Sequence, residues 1–102
     1  MYVEEFIKNF PAEFVKSVDK NYEAQKARIV FTPQISEKYG GQIHNVIMNL
    51  DANLYINGLA FMGINLRPLQ DWINNYNVFE SQSCSYSVIM DGFPQYLAVV
   101  CL

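Results

Sequence analysis

Large hydrophobic residues recur every three or four positions through the amino-terminal part of the chain. The series is Val3, Phe6, Ile7, Phe10, Phe14, Val18 and Tyr22. This is the period of a helix that buries one stripe of its surface. Pro11 interrupts the series, because proline is tolerated in the first turn of a helix but not in its interior. The pattern therefore predicts a helical turn before Phe10 and a new helix over residues 11–26, with a charged face exposed to solvent.

The middle of the chain alternates between strand and turn composition. Residues 28–32, Arg-Ile-Val-Phe-Thr, are β-branched and aromatic and end at Pro33, which predicts a strand. Residues 37–41 have turn composition. Residues 43–50 fit both a helical stripe and a buried strand, and we favour the strand for its length, β-branched content and flanking glycines.

Asn57-Gly58 is the strongest local turn signal, because both central residues of a type I′ turn need a positive φ. A two-residue turn there would pair Ile56 with Leu59. It would place Tyr55 on the face opposite those large apolar side chains. Residues 66–77 then predict a second helix, with Trp72 as a core anchor.

The last two alternating runs, residues 83–90 and 95–102, are separated by Asp-Gly-Phe-Pro and predict a hairpin. A four-residue loop sets Cys84 opposite Cys101, whereas a two-residue loop sets Cys84 opposite Val99; the sequence leaves both open. In either register the predicted core face contains Cys84, Tyr86, Val88, Met90, Leu97, Val99 and Cys101. The other face contains Ser83, Ser85, Ser87, Ile89, Tyr96, Ala98, Val100 and Leu102. Its mixture of polar and apolar side chains suits a surface covered by the chain's own helix or by a partner.

These elements predict one α+β domain over residues 1–102. It has an antiparallel sheet of four to five strands, an N-terminal helix, and a second helix before a C-terminal β-hairpin. The chain is 51% hydrophobic and 17% charged, which is far from the composition of disordered chains. A folded domain with a core of its own is therefore expected.

Charge is distributed unevenly around the net value of −3. Residues 1–38 carry six basic and six acidic side chains, whereas residues 39–102 carry only Arg67 against four carboxylates. Asparagine and serine supply most of the polarity of that second part. Polar but uncharged surface is cheaper to desolvate than charged surface, and interface centres are depleted of charge. This composition fits a binding surface in the later part of the chain, and it equally fits a sequence whose asparagine content reflects codon usage.

The sequence contains no motif for a cofactor, a metal or catalysis. A dyad of the single histidine, His44, with Cys84 or Cys101 is not expected, because both cysteines are predicted to face inward and a buried thiol is inert. Two cysteines are also too few for a zinc site unless His44 and a carboxylate join them. Gly40-Gly41 lacks the residues of a phosphate-binding loop. Basic residues form no stripe for direct nucleic-acid binding.

The expected function is non-enzymatic protein binding in the cytoplasm, because neither a signal peptide nor a long apolar run is recognised. Our first hypothesis is a small acidic immunity-type protein that neutralises a toxin by occlusion, with a basic toxin or nuclease domain as its partner. The alternatives are a phage-encoded inhibitor of a host defence complex and a homodimeric structural or adaptor subunit. The candidate partner-binding residues are Tyr55, Asn57, Ser85, Ser87, Asp91, Phe93, Tyr96 and Val100.

Overall fold

The fold is an α+β arrangement of short helices and an antiparallel sheet, as the sequence predicts. The computed structural model describes residues 2–37, 42–64 and 66 with their side chains, and the backbone of residues 38–39, 84–90 and 95–101. The elements in chain order are α1 (Val3–Asn9), a 3-10 turn (Ala12–Phe14), β1 (Val15–Asn21), β2 (Lys26–Phe31), α2 (Gln34–Tyr39), β3 (Gln42–Leu50), β4 (Ile56–Ile64), β5 (Cys84–Met90) and β6 (Gln95–Cys101).

Strands β1 to β4 form consecutive antiparallel pairs, which confirms the predicted strands over residues 28–32 and 43–50. The strand order continues from β4 to β6 and then β5. The backbone register sets Cys84 opposite Cys101. Residues 91–94 and the side chains of β5 and β6 lie outside the described residues, so the two faces of the terminal hairpin stay predictions. The predicted helix over residues 66–77 also lies outside them, apart from Leu66.

The prediction of a helix over residues 11–26 is wrong. The chain instead makes the 3-10 turn and then β1, which pairs with β2. The hydrophobic residues Phe14, Val18 and Tyr22 are spaced by four, and this spacing keeps side chains on one face of a strand as well as of a helix. Pairing with β2 decides between the two, because it satisfies the backbone of a segment with little helix propensity. The helix before Phe10 is confirmed as α1.

The predicted turn at Asn57-Gly58 is also wrong, because both residues belong to β4. The chain reverses over residues 51–55 instead, and Leu50 pairs with Ile56 while Asn49 pairs with Gly58. Asn57 is therefore the extra residue of a β-bulge rather than a turn residue. The predicted pairing of Ile56 with Leu59 does not occur.

The predicted turn over residues 37–41 begins within a helix. Residues 37–39 belong to α2, and residues 40–41 are not among the described residues. The carbonyl oxygen of Pro33 accepts hydrogen bonds from the backbone N–H groups of Ser36 and Glu37, at 3.0 and 3.3 Å. These bonds close the first helical turn directly after the proline that ends the preceding strand segment, as proline at a helix start allows.

The core lies on one face of the sheet. Its central row runs across three strands, with Ile29 opposite Val46 and Val46 opposite Phe61, and all three side chains are fully buried. Val3 and Phe6 of α1 are buried in the same hydrophobic cluster. The cluster contains Val3, Phe6, Phe10, Phe14, Ala27, Ile29, Phe31, Ile35, Ile43, Val46, Met48, Leu50, Ile56, Leu59, Phe61 and Leu66. Helix α1 is therefore held to the sheet by burial of its apolar stripe.

A small polar cluster adds a second link between α1 and β1. Lys20 donates from Nζ to Glu4 Oε2 at 3.0 Å, and the Tyr22 hydroxyl donates to Glu4 Oε1. The hydrogen bonds from Tyr22 and Lys20 hold the pKa of Glu4 below its ordinary value. Burial and the hydrogen bond to Glu4 raise the pKa of Tyr22 to about 12. The folded state therefore favours an ionised Glu4 beside a neutral Tyr22.

Glu4→Gln should reduce the dependence of stability on acid pH. A lowered folded-state pKa contributes stability above the unfolded pKa, near 4.5, and this contribution is lost as the pH falls through the folded value. The free energy of unfolding is measured by urea unfolding at neutral pH and below pH 4.5. Its decrease between the two conditions should be smaller in the variant than in the wild type. The effect should be below about 1 kcal/mol, because the partners are partly exposed. Glu5→Gln is the matched control. An equal decrease in the free energy of unfolding at acid pH in the wild type and in Glu4→Gln would contradict the prediction.

Candidate partner-binding surface

The turn between β3 and β4 is organised by the side chain of Asp51. Its Oδ1 accepts hydrogen bonds from the backbone N–H groups of Asn53 and Tyr55, at 2.8 and 3.0 Å. The backbone closes the same turn, since Asp51 N–H donates to the Tyr55 carbonyl at 2.9 Å and Leu54 N–H donates to the Asp51 carbonyl at 3.0 Å. An aspartate that bonds the backbone two residues on is typical of tight turns. The turn is therefore well defined by its own hydrogen bonds.

Leu54 has a φ of 64°, in the left-handed region that leucine rarely adopts. Its carbonyl accepts a hydrogen bond from Val3 N–H at 3.0 Å, and its side chain packs against the core. These contacts with α1 and the core hold a conformation that costs an isolated residue about 1–3 kcal/mol. The tertiary structure thus fixes the direction in which the next residue, Tyr55, leaves the turn.

Tyr2 and Tyr55 form an exposed aromatic pair, which we call the tyrosine pair. Their backbones form an isolated antiparallel bridge. Their rings meet edge to face, with centroids 6.0 Å apart and planes at 76°, which is a favourable aromatic geometry. Tyr2 is 37% and Tyr55 50% exposed, and no other large hydrophobic side chain in the described part of the chain is exposed.

The residues next to the tyrosine pair are polar and include charges of both signs, because Glu4 of α1 is ion-paired with Lys20 at 3.0 Å. Asn53 and Asn57 are exposed on either side of Tyr55 in the sequence. Glu4 and Glu5 lie in the first turn of α1, directly after Tyr2. Asp51 lies at the base of the turn.

The structure places only some of the predicted partner-binding residues. Tyr55 directly precedes β4, and Asn57 is the second residue of β4. The backbone register sets Ser85 opposite Val100 and Val100 opposite Gly58, next to Asn57, whereas Tyr96 is opposite Met62, further along β4.

Ser87 is at a bulge in β5, between the paired residues Tyr86 and Val88. Asp91 and Phe93 are outside the described residues. Of the predicted site residues, only Tyr55 and Asn57 have side chains among the described residues.

Sequence reasoning missed Tyr2. The residue lies one position before the buried stripe of α1, and only its bridge to Tyr55 makes it part of a surface. The available signal was its position: an aromatic residue beside a buried first helical residue, Val3, must lie at the edge of the core. Nothing in the linear spacing joins Tyr2 to Tyr55.

Metal-binding and membrane-spanning features are absent from the described part of the chain. In the described part of the chain no group of three or more histidine, cysteine or acidic side chains is arranged to hold a metal ion. No helix there is long and apolar enough to cross a membrane. His44 is exposed on β3, and the side chains of Cys84 and Cys101 are not among the described residues.

No protein-family model matches the chain, and no curated protein or solved structure matches it significantly.

Proposed function

We propose that this protein is a non-enzymatic binding protein of the immunity type, which neutralises a basic toxin or nuclease domain by covering its surface. The observation that carries the proposal is the exposed tyrosine pair on a turn that is held by Asp51 and α1. Soluble domains normally bury large aromatic side chains, because each buries a large apolar area. A rigid exposed pair is therefore a candidate anchor for a partner.

Tyrosine is a common hot-spot residue in protein interfaces. It offers a large contact area, loses little conformational entropy on binding and keeps a hydroxyl for hydrogen bonding. The turn already fixes the direction of Tyr55, so little ordering remains to oppose association. Asn53 and Asn57 add polar groups that are cheaper to desolvate than charges. These properties support Tyr55 as the centre of the proposed contact.

The charge of the chain supports a basic partner. The net charge is −3, Glu5 lies in the first turn of α1 after Tyr2, and Asp51 accepts a hydrogen bond from the backbone of Tyr55. Opposite charge on the partner accelerates association and makes it sensitive to salt. An association rate that falls with added salt is therefore part of the proposal.

Tyr55→Ala should weaken binding to the partner by about 2 kcal/mol, or roughly thirtyfold. The partner is first captured from an extract of the native host on the immobilised wild-type chain at low salt, identified by mass spectrometry and purified. Its dissociation constant is then measured for the wild type, Tyr55→Ala and Tyr2→Ala. Lys8→Ala, in the last turn of α1 away from Tyr2, is the control and should bind like the wild type.

Two results would contradict this proposal. The first is a partner that binds Tyr55→Ala and the wild type equally well. The second is a stable dimer of the isolated chain, seen by light scattering, that Tyr55→Ala dissociates. That second result would favour the homodimeric adaptor, because the tyrosine pair would then be covered by another copy of the chain. Circular dichroism of each variant checks that the fold is retained.

A further inference from the structure

An open cleft lies at the opposite end of β3 from the tyrosine pair. Its volume is about 420 Å³, and it is lined by residues from the end of β2, the start of β3, α2 and β1. This volume is within the range of sites for small organic molecules. Along a strand, the positions of His44 and Asp51 differ by roughly 20 Å, so the cleft is separate from the proposed partner-binding surface.

Two β-bulges occur at residues that line this cleft. The register of β1 with β2 shifts between Val15 and Ser17, which leaves Lys16 as the extra residue. The register of β3 with β4 shifts between Ile43 and Asn45, which leaves His44 as the extra residue. Bulges redirect a side chain and are over-represented next to functional sites. Here both bulged residues carry nitrogen donors, and both line the same cleft.

The backbones of β3 and β4 approach each other closely next to the bulge at His44. Gly63 is opposite Ile43 in the register. A Cβ atom at Gly63 would lie 2.1 Å from the Gln42 carbonyl oxygen and 2.8 Å from the Cα of Ile43. Only glycine allows this approach, which is a recognised use of glycine within a strand. The position of His44 is therefore built into the β3–β4 pairing.

The lining of the cleft combines hydrogen-bond donors with an apolar part. Lys16 offers an ammonium group, His44 a ring N–H and Ser36 of α2 a hydroxyl. Phe31 and Ile43 are the buried apolar members. Within the described part of the chain, the lining includes no carboxylate. Such a set fits an anionic group joined to an apolar one.

We propose that this cleft binds a small organic phosphate, with Lys16, His44 and Ser36 around the phosphate group and the apolar residues beside its organic part. A phosphate presents several acceptor oxygens, and a lysine pairs with it as a point charge. Donors from three separate elements match that demand better than a single contact. The proposal does not depend on the tyrosine pair or on the identity of a protein partner.

The test uses phenyl phosphate as the probe and the full chain. His44 is the only histidine, so its ring signals in an NMR spectrum are unambiguous. Phenyl phosphate should shift them in a saturable way, and benzyl alcohol, which has the ring but no charge, should not. Lys16→Ala should raise the dissociation constant for phenyl phosphate about tenfold, because a charged hydrogen-bond donor is lost. Lys26→Ala removes an exposed charge from the neighbouring strand, outside the cleft lining, and should leave binding unchanged.

The proposal is overturned if phenyl phosphate leaves the His44 signals in place, or if Lys16→Ala and Lys26→Ala weaken binding equally. Equal weakening would indicate that only the overall charge attracts the probe. Inorganic phosphate should bind more weakly than phenyl phosphate, and equal binding of the two would contradict the role of the apolar residues. Each variant is first checked for its fold by circular dichroism.

Discussion

Phe61→Ala should lower the free energy of unfolding by about 3–5 kcal/mol, which is the usual range for a phenylalanine deleted from a core. Phe61 is fully buried in the middle of β4. It completes the row in which Ile29, Val46 and Phe61 are neighbours across three strands. Removal of its ring loses burial and leaves a cavity, since strands on both sides restrict the collapse of the site.

The loss is measured by urea unfolding, followed by circular dichroism and by tryptophan fluorescence. A domain of this size has a total stability of about 5–15 kcal/mol, so the variant should lose a large share of its stability. Ile47→Ala is the control, because Ile47 is half-buried on the opposite face of β3. A loss for Phe61→Ala no greater than the loss for Ile47→Ala would show that the row is not the centre of the core.

Gly63→Ala should lower the free energy of unfolding by about 2–3 kcal/mol, at the upper end of the usual cost of overpacking. The added methyl group would meet the backbone of Gln42 and Ile43, and backbone cannot move aside as a flexible side chain does. The strands must separate locally, which weakens the ladder on both sides of the His44 bulge.

Urea unfolding gives the stability of Gly63→Ala, and the ring signals of His44 report the local change. Those signals should move even where the variant remains folded. Ile64→Ala changes the next residue without adding atoms and is the control for general effects on β4. Wild-type stability together with unchanged His44 signals would contradict the close approach of β3 and β4 at this point.

The N-terminal half of the fold was only partly predictable from the sequence. The strands over residues 28–32 and 43–50 were predicted because β-branched residues and flanking proline or glycine indicate them locally. The segment after Pro11 was not, because Phe14, Val18 and Tyr22 are spaced by four and satisfy the periods of both helix and strand. Its structure depends on β2, a partner that linear spacing does not reveal.

The turn into β4 shows how tertiary contacts override a local signal. Asn57-Gly58 is the best turn sequence in the chain, yet the turn forms earlier, at residues 51–55. Asp51 supplies side-chain hydrogen bonds there, and Val3 N–H supplies one more to Leu54. The sum of these bonds and the burial of Leu54 outweighs the preference of Asn and Gly for a type I′ turn.

The candidate surfaces were also predicted from the sequence only in part. Tyr55 and Asn57 were predicted as partner-binding residues from the expected turn, and they are exposed, although the turn itself is elsewhere. The linear spacing does not join Tyr2 to Tyr55, nor Lys16 to the cleft around His44. A backbone bridge places Tyr2 beside Tyr55. Two bulges, which arise from the pairing of strands, occur at Lys16 and His44 in the cleft.

The sequence by itself determined the α+β class, helix α1, the strands after Ala27 and Gln42, and an acidic chain with a charge-poor second part. These follow from local composition and period, which act within a few neighbouring residues. Only the tertiary structure decided that residues 15–21 are a strand and that Leu54 adopts a positive φ. It also decided that Tyr2 pairs with Tyr55, and that Lys16 and His44 line the same cleft. These features depend on hydrogen bonds and burial between distant segments, and such contacts are favourable only once the sheet has formed.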